Sequence, residues 1–201
     1  MQAKTRLDDI LERVRSAERE LEQELDRMLD EKSRELQYSL RRGKVVFDLG
    51  IRRWQRQQRT GLWRYLRQAP VGYILSAPVI YGMIVPMVFL DMSVSLYQQI
   101  CFRVYGIPRV CRADYLVIDR HQLAYLNVIE RLNCIYCGYA NGVVAYAREI
   151  TGRTEQFWCP IKHARRSTGA HKRTDEFFDY GDADAWRQDS ERVRRQWNEG
   201  A

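Results

Sequence analysis

The sequence predicts an all-α protein with an N-terminal coiled-coil helix, a membrane-embedded helix or helical hairpin, and a small metal-stapled helical domain. Three observations lead to this class. Residues 5–40 place apolar side chains in alternating steps of four and three, which is the spacing of a coiled-coil helix. Residues 68–90 contain no charged side chain, and a helix needs about 20 apolar residues to cross the hydrocarbon core. Cysteines and a histidine between residues 134 and 163 have the spacing of a closed metal site.

Composition and charge limit the classes of protein and of binding partner that fit this chain. The chain has 201 residues, 45% of them apolar, which excludes a wholly disordered protein, and its five cysteines are too few for a disulfide scaffold. The net charge is +7, and residues 41–67 alone contain nine basic residues and one acidic residue. Such a basic segment can indicate nucleic-acid binding, but the most apolar stretch of the chain follows it directly, and this order favours a membrane surface.

Residues 1–43 are predicted to form a coiled-coil arm. Because this segment is charged and helical in pattern, we expect no ordinary cleaved signal peptide in it. The seam positions are Leu7, Leu11, Val14, Glu18, Leu21, Leu25, Met28 and Lys32. A wide apolar face is typical of a helix packed on its own domain, whereas this narrow seam favours helix pairing. The expected partner is a second copy or another helix, bound through residues 5–36.

Residues 44–67 interleave arginine with large aromatic side chains and are predicted to lie at a membrane interface. Trp and Tyr settle at the level of the headgroups, and Arg pairs with lipid phosphates. The residues assigned to this interface are Arg52, Arg53, Trp54, Arg56, Arg59, Trp63, Arg64 and Arg67. The same mixture can bind single-stranded nucleic acid by stacking, but the apolar run that follows favours lipid. Thr60 is predicted to cap the next helix.

Residues 68–105 are predicted to be embedded in the membrane. They contain more Pro and Gly than a buried soluble helix carries, namely Pro70, Gly72, Pro78, Gly82 and Pro86. In one topology a single helix spans the bilayer near 70–90. In the other, which is preferred, Pro86 breaks the run into a hairpin of residues 68–84 and 86–104, and both ends stay on one side. The positive-inside tendency then predicts that both ends and the following domain are cytoplasmic.

Residues 106–170 are predicted to form the metal-stapled helical domain. Its candidate ligands, Cys134, Cys137, Cys159 and His163, have the spacing C-x2-C-x21-C-x3-H. Gly138 permits the positive φ of a metal-binding turn, and a helix that starts at Pro160 would put the last two ligands on one face. A closed Cys3His set favours zinc, with iron as the alternative, and a dithiol redox pair at the first two cysteines is a further alternative.

Two segments flank these ligands. Residues 114–133 are predicted to form a helix that leads to Cys134. Asp119 and His121 on this helix are candidates to contact the metal ligands, although a lone histidine at a helix start is more often a cap or a surface residue. Residues 171–201 are predicted to be a polar tail with a short helix over 182–198, started by Asp182 or Asp184. No catalytic residue is assigned.

The segment from residue 114 to residue 166 contains DRHQLAYLN, NCIYCGYANG and WCPIKHARR. In these motifs it resembles bacterial membrane-associated proteins without an established activity. The resemblance implies a protein of the bacterial inner membrane and supplies no catalytic residues. The predicted function is a membrane-associated structural or adaptor protein with a structural zinc and a coiled-coil interaction arm. The alternatives are a membrane-tethered redox or electron-transfer protein and a basic zinc module that binds nucleic acid.

Overall fold

A computed structural model of the chain describes residues 2–35, 38–41, 44–165 and 167–197. The prediction of an all-α fold is confirmed, since 74% of the structure is helical and 3% is strand. The helices are α1 (Gln2–Glu35), α2 (Leu49–Gln57), α3 (Leu62–Gln68), α4 (Val71–Gly82), α5 (Ile84–Tyr97), α6 (Arg103–Tyr105), α7 (Arg112–Tyr115), α8 (Val128–Trp158) and α9 (Ala183–Arg195). Contacts divide the chain into two compact units, residues 1–60 with 122–127, and residues 61–121 with 128–201.

The first unit contains α1, a short β-hairpin and α2. Strands β1 (Tyr38–Arg41) and β2 (Lys44–Phe47) pair antiparallel, with Tyr38 opposite Phe47. The predicted continuation of the first helix to residue 40 is therefore wrong, because residues 38–41 are a strand. Asp48 is the N-cap of α2, and its carboxylate accepts a hydrogen bond from the backbone N–H of Gly50 at 2.8 Å.

The second unit contains one long apolar helix. Helices α4, α5 and α6, joined by a π-helical turn at residues 98–102, form a continuous helical stretch, Val71–Tyr105. The predicted hairpin is wrong, because Pro86 lies in the first turn of α5, where its missing N–H breaks no essential hydrogen bond. The chain instead continues through Met83, whose carbonyl accepts a bond from the N–H of Met87 at 3.3 Å. Gly61, and not Thr60, is the N-cap of α3.

After the long helix the chain turns back. The predicted helix over 114–133 is not formed as one element. Gly106 ends the long helix with φ +71°, a left-handed conformation that favours glycine. Residues 106–127 are irregular apart from α7 and one 3₁₀ turn at Arg120–Gln122. The leucines at 116, 123 and 126 have the spacing of one face of a helix, but after α7 the next α-helix begins at Val128.

Helix α8 packs along α5 in the parallel direction. Near its start, Asn133 accepts a hydrogen bond from the hydroxyl of Tyr81, and near its end Thr154 bonds to Tyr97. The fully packed centre of this unit consists of Phe102, Ile107, Val110, Tyr146 and Ile150. The core therefore lies at the C-terminal end of the long apolar helix, whereas α4 has no buried residue.

The C-terminal segment folds back on α8. The predicted helix at Pro160 is absent, because Ile161 instead forms a β-bridge with Phe178. Helix α9 confirms the predicted short helix, and Asp182 caps it by accepting a bond from the N–H of Ala185 at 2.9 Å. Trp186 packs edge-to-face on Phe178 with ring centroids 5.8 Å apart.

Candidate functional site

The long apolar helix is the most prominent candidate site. Among the described residues, Val71–Tyr105 is the one helix long and apolar enough to cross a membrane, and none of its most apolar window is buried inside the protein. Apart from Tyr73, six of its large apolar side chains are 67% to 73% exposed: Val71, Leu75, Val79, Val85, Phe89 and Met92. In water, six exposed side chains of this size forgo on the order of 10 kcal/mol of hydrophobic free energy. The helix therefore presents a surface suited to an apolar environment.

One face of this helix is polar and buried. Asp91, Ser95 and Gln98 follow one another at steps of four and three, so they lie on the same side of the helix. Asp91 is 8% exposed and accepts two hydrogen bonds from the guanidinium of Arg112, from Nε at 2.9 Å and from Nη2 at 2.6 Å. The hydroxyl of Tyr139 donates a third bond to Asp91 at 2.9 Å. The carboxylate charge is therefore fully compensated by two separate elements of the unit.

Farther along this face, Gln98 joins the returning chain to α8. Its side-chain oxygen accepts a bond from the N–H of Val110 at 3.0 Å, and its amide nitrogen bonds to the hydroxyl of Tyr146. Ser95 lies 3.4 Å from the same hydroxyl. These contacts fix α8 and residues 106–112 to the apolar helix in a single register, because any shift along the helix would break them together.

The electrostatic environment of this face changes the pKa of the residues around it. The hydrogen bonds to Asp91 raise the pKa of Arg112. Burial, followed by the hydrogen bond to Asp91, raises the pKa of Tyr139. Burial also raises the pKa of Tyr115, and the nearby charge of Glu149 adds to this effect. At neutral pH, Arg112 is therefore charged and both phenols are protonated.

An apolar cavity of about 670 Å³ lies between α3, α4 and the start of α8. Its walls are mostly aliphatic and tyrosine side chains: Tyr65, Leu66, Tyr73, Ile74, Ile80 and Leu132. The polar groups in its lining are tyrosine hydroxyls and the side chains of Ser76 and Asn133. The cavity can therefore hold apolar groups.

The predicted interface residues lie on two short helices. Helix α2 carries Arg52, Arg53, Trp54 and Arg56, with Arg59 two residues after its end, and α3 carries Trp63, Arg64 and Arg67. All eight are exposed, with Trp54 at 58% and Trp63 at 78%. Large aromatic and cationic side chains that face outward are typical of a protein surface that meets lipid headgroups.

The predicted metal ligands are not brought together. Cys134 and Cys137 lie in the first half of α8, whereas Cys159 follows its last residue and His163 lies beyond. The 22 residues from Cys137 to Cys159 extend about 33 Å along a helix. Within the described residues, which include all four, no group of three His, Cys, Asp or Glu side chains is placed to hold a metal ion. The assignment of zinc or iron stays a prediction, without support from this geometry.

The glycine after the second cysteine has a different role from the predicted one. Gly138 is helical, and a Cβ atom built there would lie 3.2 Å from the carbonyl oxygen of Val117. At Gly142 a Cβ atom would lie 2.7 Å from the carbonyl oxygen of Tyr115. The two glycines therefore let the returning chain approach α8 closely. The signal in the sequence is the spacing G-x-x-x-G, which is typical of close backbone packing against a helix.

Asp119 and His121 do not lie on a helix that leads to Cys134, because residues 116–127 are not α-helical. His121 belongs to the 3₁₀ turn, and its buried Nδ1 makes no hydrogen bond within the described part of the chain.

A buried ionic cluster that the sequence reasoning missed lies farther along α8. There Arg173, 7% exposed, donates to Glu149 at 2.6 Å, and Arg153 donates to the same carboxylate at 2.7 Å. In this cluster two guanidinium groups share one carboxylate, and the contact of Arg173 with Glu149 joins the C-terminal segment to α8.

Comparison of the chain with protein-family models, with curated proteins and with solved structures gave no match.

Proposed function

We propose that this protein is a membrane-anchored adaptor of the bacterial inner membrane, with its helical domain on the cytoplasmic side and α1 as its interaction arm. The observation that carries the proposal is the exposure of the apolar helix Val71–Tyr105. A core helix of a soluble protein is covered by its own fold, and this helix is covered on one face only. Lipid is the partner that suits the remaining faces.

The geometry favours insertion with both flanks on the same side of the bilayer. Tyr81 is near the middle of residues 71–90, and it contacts Asn133 and Tyr136 in the first turns of α8. If residues 71–90 crossed the bilayer, Glu130 and Arg131 would lie close to its mid-plane. Each charged side chain there costs about 2.5–3.5 kcal/mol. A helix that lies in one leaflet, covered by α8 on one side and by lipid on the others, avoids this cost.

The charge distribution supports the cytoplasmic side. Arg64 and Arg67 precede the apolar helix, and Arg103 and Arg109 follow its apolar part. With both flanks basic, the positive-inside tendency keeps both in the cytoplasm. Anionic headgroups of that leaflet attract such residues by about 1 kcal/mol each.

Flotation of the purified full chain with lipid vesicles tests the anchor. We expect the protein to float with vesicles, and Leu75→Glu with Val79→Glu to remove most of this binding because two charges enter the apolar face. The matched control is Tyr180→Glu, which adds a charge at a residue that is 71% exposed outside this helix. Equal flotation of both variants, or none for the native chain, would contradict the proposal.

Protease accessibility tests the topology. Epitope tags placed before residue 2 and after residue 201 should both be cleaved in inside-out vesicles of bacterial membrane, and both be protected in spheroplasts. Cleavage of one tag only in each preparation would show that the helix crosses the bilayer and would exclude insertion from one side.

A further inference from the structure

Helix α1 presents a stripe of large apolar side chains to solvent. Six of them are 46% to 69% exposed: Ile10, Val14, Leu21, Leu25, Met28 and Leu29. They lie on one side of a helix of 34 residues, about 51 Å long. Such a narrow stripe with a repeat of 3.5 residues is suited to one further helix rather than to a flat surface.

The charged residues of the seam exclude one arrangement of two copies. Glu18 and Lys32 occupy equivalent seam positions, and both side chains are exposed. In a parallel pair each residue faces its own counterpart, so two carboxylates meet in one layer and two ammonium groups in another. Like charges at such close range are unfavourable, most of all where apolar neighbours exclude water.

An antiparallel pair removes this conflict, because no layer of the seam then contains two charged residues. Val14 then faces Leu25 of the second copy, and Glu18 faces Leu21, so the two carboxylates lie in different layers. The outer layers pair Met28 and Lys32 with seam positions 11 and 7, both of which are leucine in the sequence. The two charged seam residues, Glu18 and Lys32, therefore each have an apolar residue opposite them.

The residues beside the seam give the same orientation. In the antiparallel arrangement Arg15 lies opposite Glu22 of the second copy, and symmetry forms this ion pair twice. In the parallel arrangement Arg15 would face Ile10 and Glu22 would face Ala17, so neither charge would gain a partner across the interface. Charge complementarity thus distinguishes the two orientations.

We propose that the partner of α1 is a second copy of this chain, with the two α1 helices packed antiparallel about a two-fold axis between residues 18 and 21. The inference rests on the proposed role of α1 as the interaction arm and identifies the partner that this arm binds. It makes the adaptor a homodimer whose interaction arms are joined in opposite directions.

Light scattering of the full chain in detergent micelles, corrected for bound detergent, tests the dimer. We expect the mass of two chains for the native protein and of one chain for Leu21→Glu with Leu25→Glu. The control is Arg19→Gln with Gln23→Glu, which changes the charge equally away from the seam and should remain dimeric. A monomer for the native chain, or a dimer for the seam variant, would overturn the proposal, as would recovery only in a complex with a different protein.

Charge reversal tests the orientation. Arg15→Glu alone and Glu22→Arg alone should each raise the dissociation constant of the dimer about tenfold, since two ion pairs become two like-charge contacts. The double variant should restore the native value, which a defect within one helix would not allow. Unchanged dimers in both single variants would contradict the antiparallel arrangement. Vesicle flotation of the seam variant should equal that of the native chain, so failure of the dimer and failure of the anchor are distinguished.

Discussion

The ion pair between Asp91 and Arg112 joins the apolar helix to the rest of its unit through two hydrogen bonds. The carboxyl side chain of Asp91 is 11% exposed, whereas the guanidinium is 48% exposed. Removal of the arginine therefore leaves a nearly buried charge without its main partner, whereas removal of both leaves a site that apolar side chains can fill.

We expect Arg112→Leu to lower the free energy of unfolding by about 2 kcal/mol, a value reduced from that of a fully buried pair because the guanidinium is half exposed. Asp91→Leu with Arg112→Leu should recover most of this loss. Chemical unfolding in detergent micelles, followed by circular dichroism, measures both. Arg109→Leu is the control, since Arg109 is exposed and donates a hydrogen bond to the side chain of the exposed Gln99 at 2.7 Å. An equal loss for Arg109→Leu and Arg112→Leu would contradict this account.

Tyr115 makes the free energy of unfolding depend on pH in the alkaline range. Burial raises the pKa of its phenol above the ordinary value of 10.0, so the folded chain holds this proton more tightly than the unfolded chain does. Its contribution is complete below pH 10 and is lost as the pH rises from there through the folded pKa. In Tyr115→Phe, which cannot ionise, the melting temperature should fall less between pH 9 and pH 11 than in the native chain. Parallel curves for the two proteins would show that this phenol is not responsible.

At the level of whole elements, the packing of α8 against the returning chain depends on its two glycines. A side chain at Gly142 would meet the backbone at Tyr115 and at Leu116, neither of which can move without shifting the chain. The contact at Gly138 is less severe, with its nearest atom at 3.2 Å. The two positions therefore differ in how much a methyl group disturbs them.

We expect Gly142→Ala to lower the free energy of unfolding by about 2 kcal/mol through overpacking, and Gly138→Ala to lower it less. Gly72→Ala is a matched control, because Gly72 is also helical and a Cβ atom there meets nothing within 4 Å. This control should be neutral or gain up to about 1 kcal/mol from helix propensity. Thermal unfolding of the three variants ranks them, and a loss in Gly72→Ala equal to that in Gly142→Ala would contradict the close approach.

Elements with local signals were predictable from the sequence, and elements held by distant contacts were not. Asp182 caps the start of α9 with its own side chain. The charged heptads of α1 predict a helix from the local sequence, whatever α1 packs against. Residues 116–127 were misassigned because their leucine spacing fits a helix, whereas the backbone at residues 116–118 packs against Gly138 and Gly142. Pro86 was taken as a break because the sequence does not show that it lies in the first turn of α5.

At the scale of the whole molecule, the continuity of α8 bears most on the zinc prediction. The cysteine motif and the Cys159–His163 pair were expected to converge, which requires a turn within residues 138–158. The structure has no turn there, because Gly142 and Gly152 lie inside the helix where neighbouring groups pack against them. A metal shared by all four ligands of one chain is therefore incompatible with an unbroken α8.

The reactivity of the cysteines distinguishes an unbroken α8 from a metal-stapled domain. Cys137 and Cys159 are both exposed, so we expect both thiols of the native chain to react with a maleimide before any chelator is added. A chelator should leave their rates and the melting temperature unchanged, and elemental analysis should find less than one zinc per chain. In a Cys3His site the metal would hold both thiolates, and the chelator would accelerate their reaction while it lowers the melting temperature. Protection of both thiols with one zinc per chain, lost in Cys134→Ser, would show that α8 bends between residues 138 and 158.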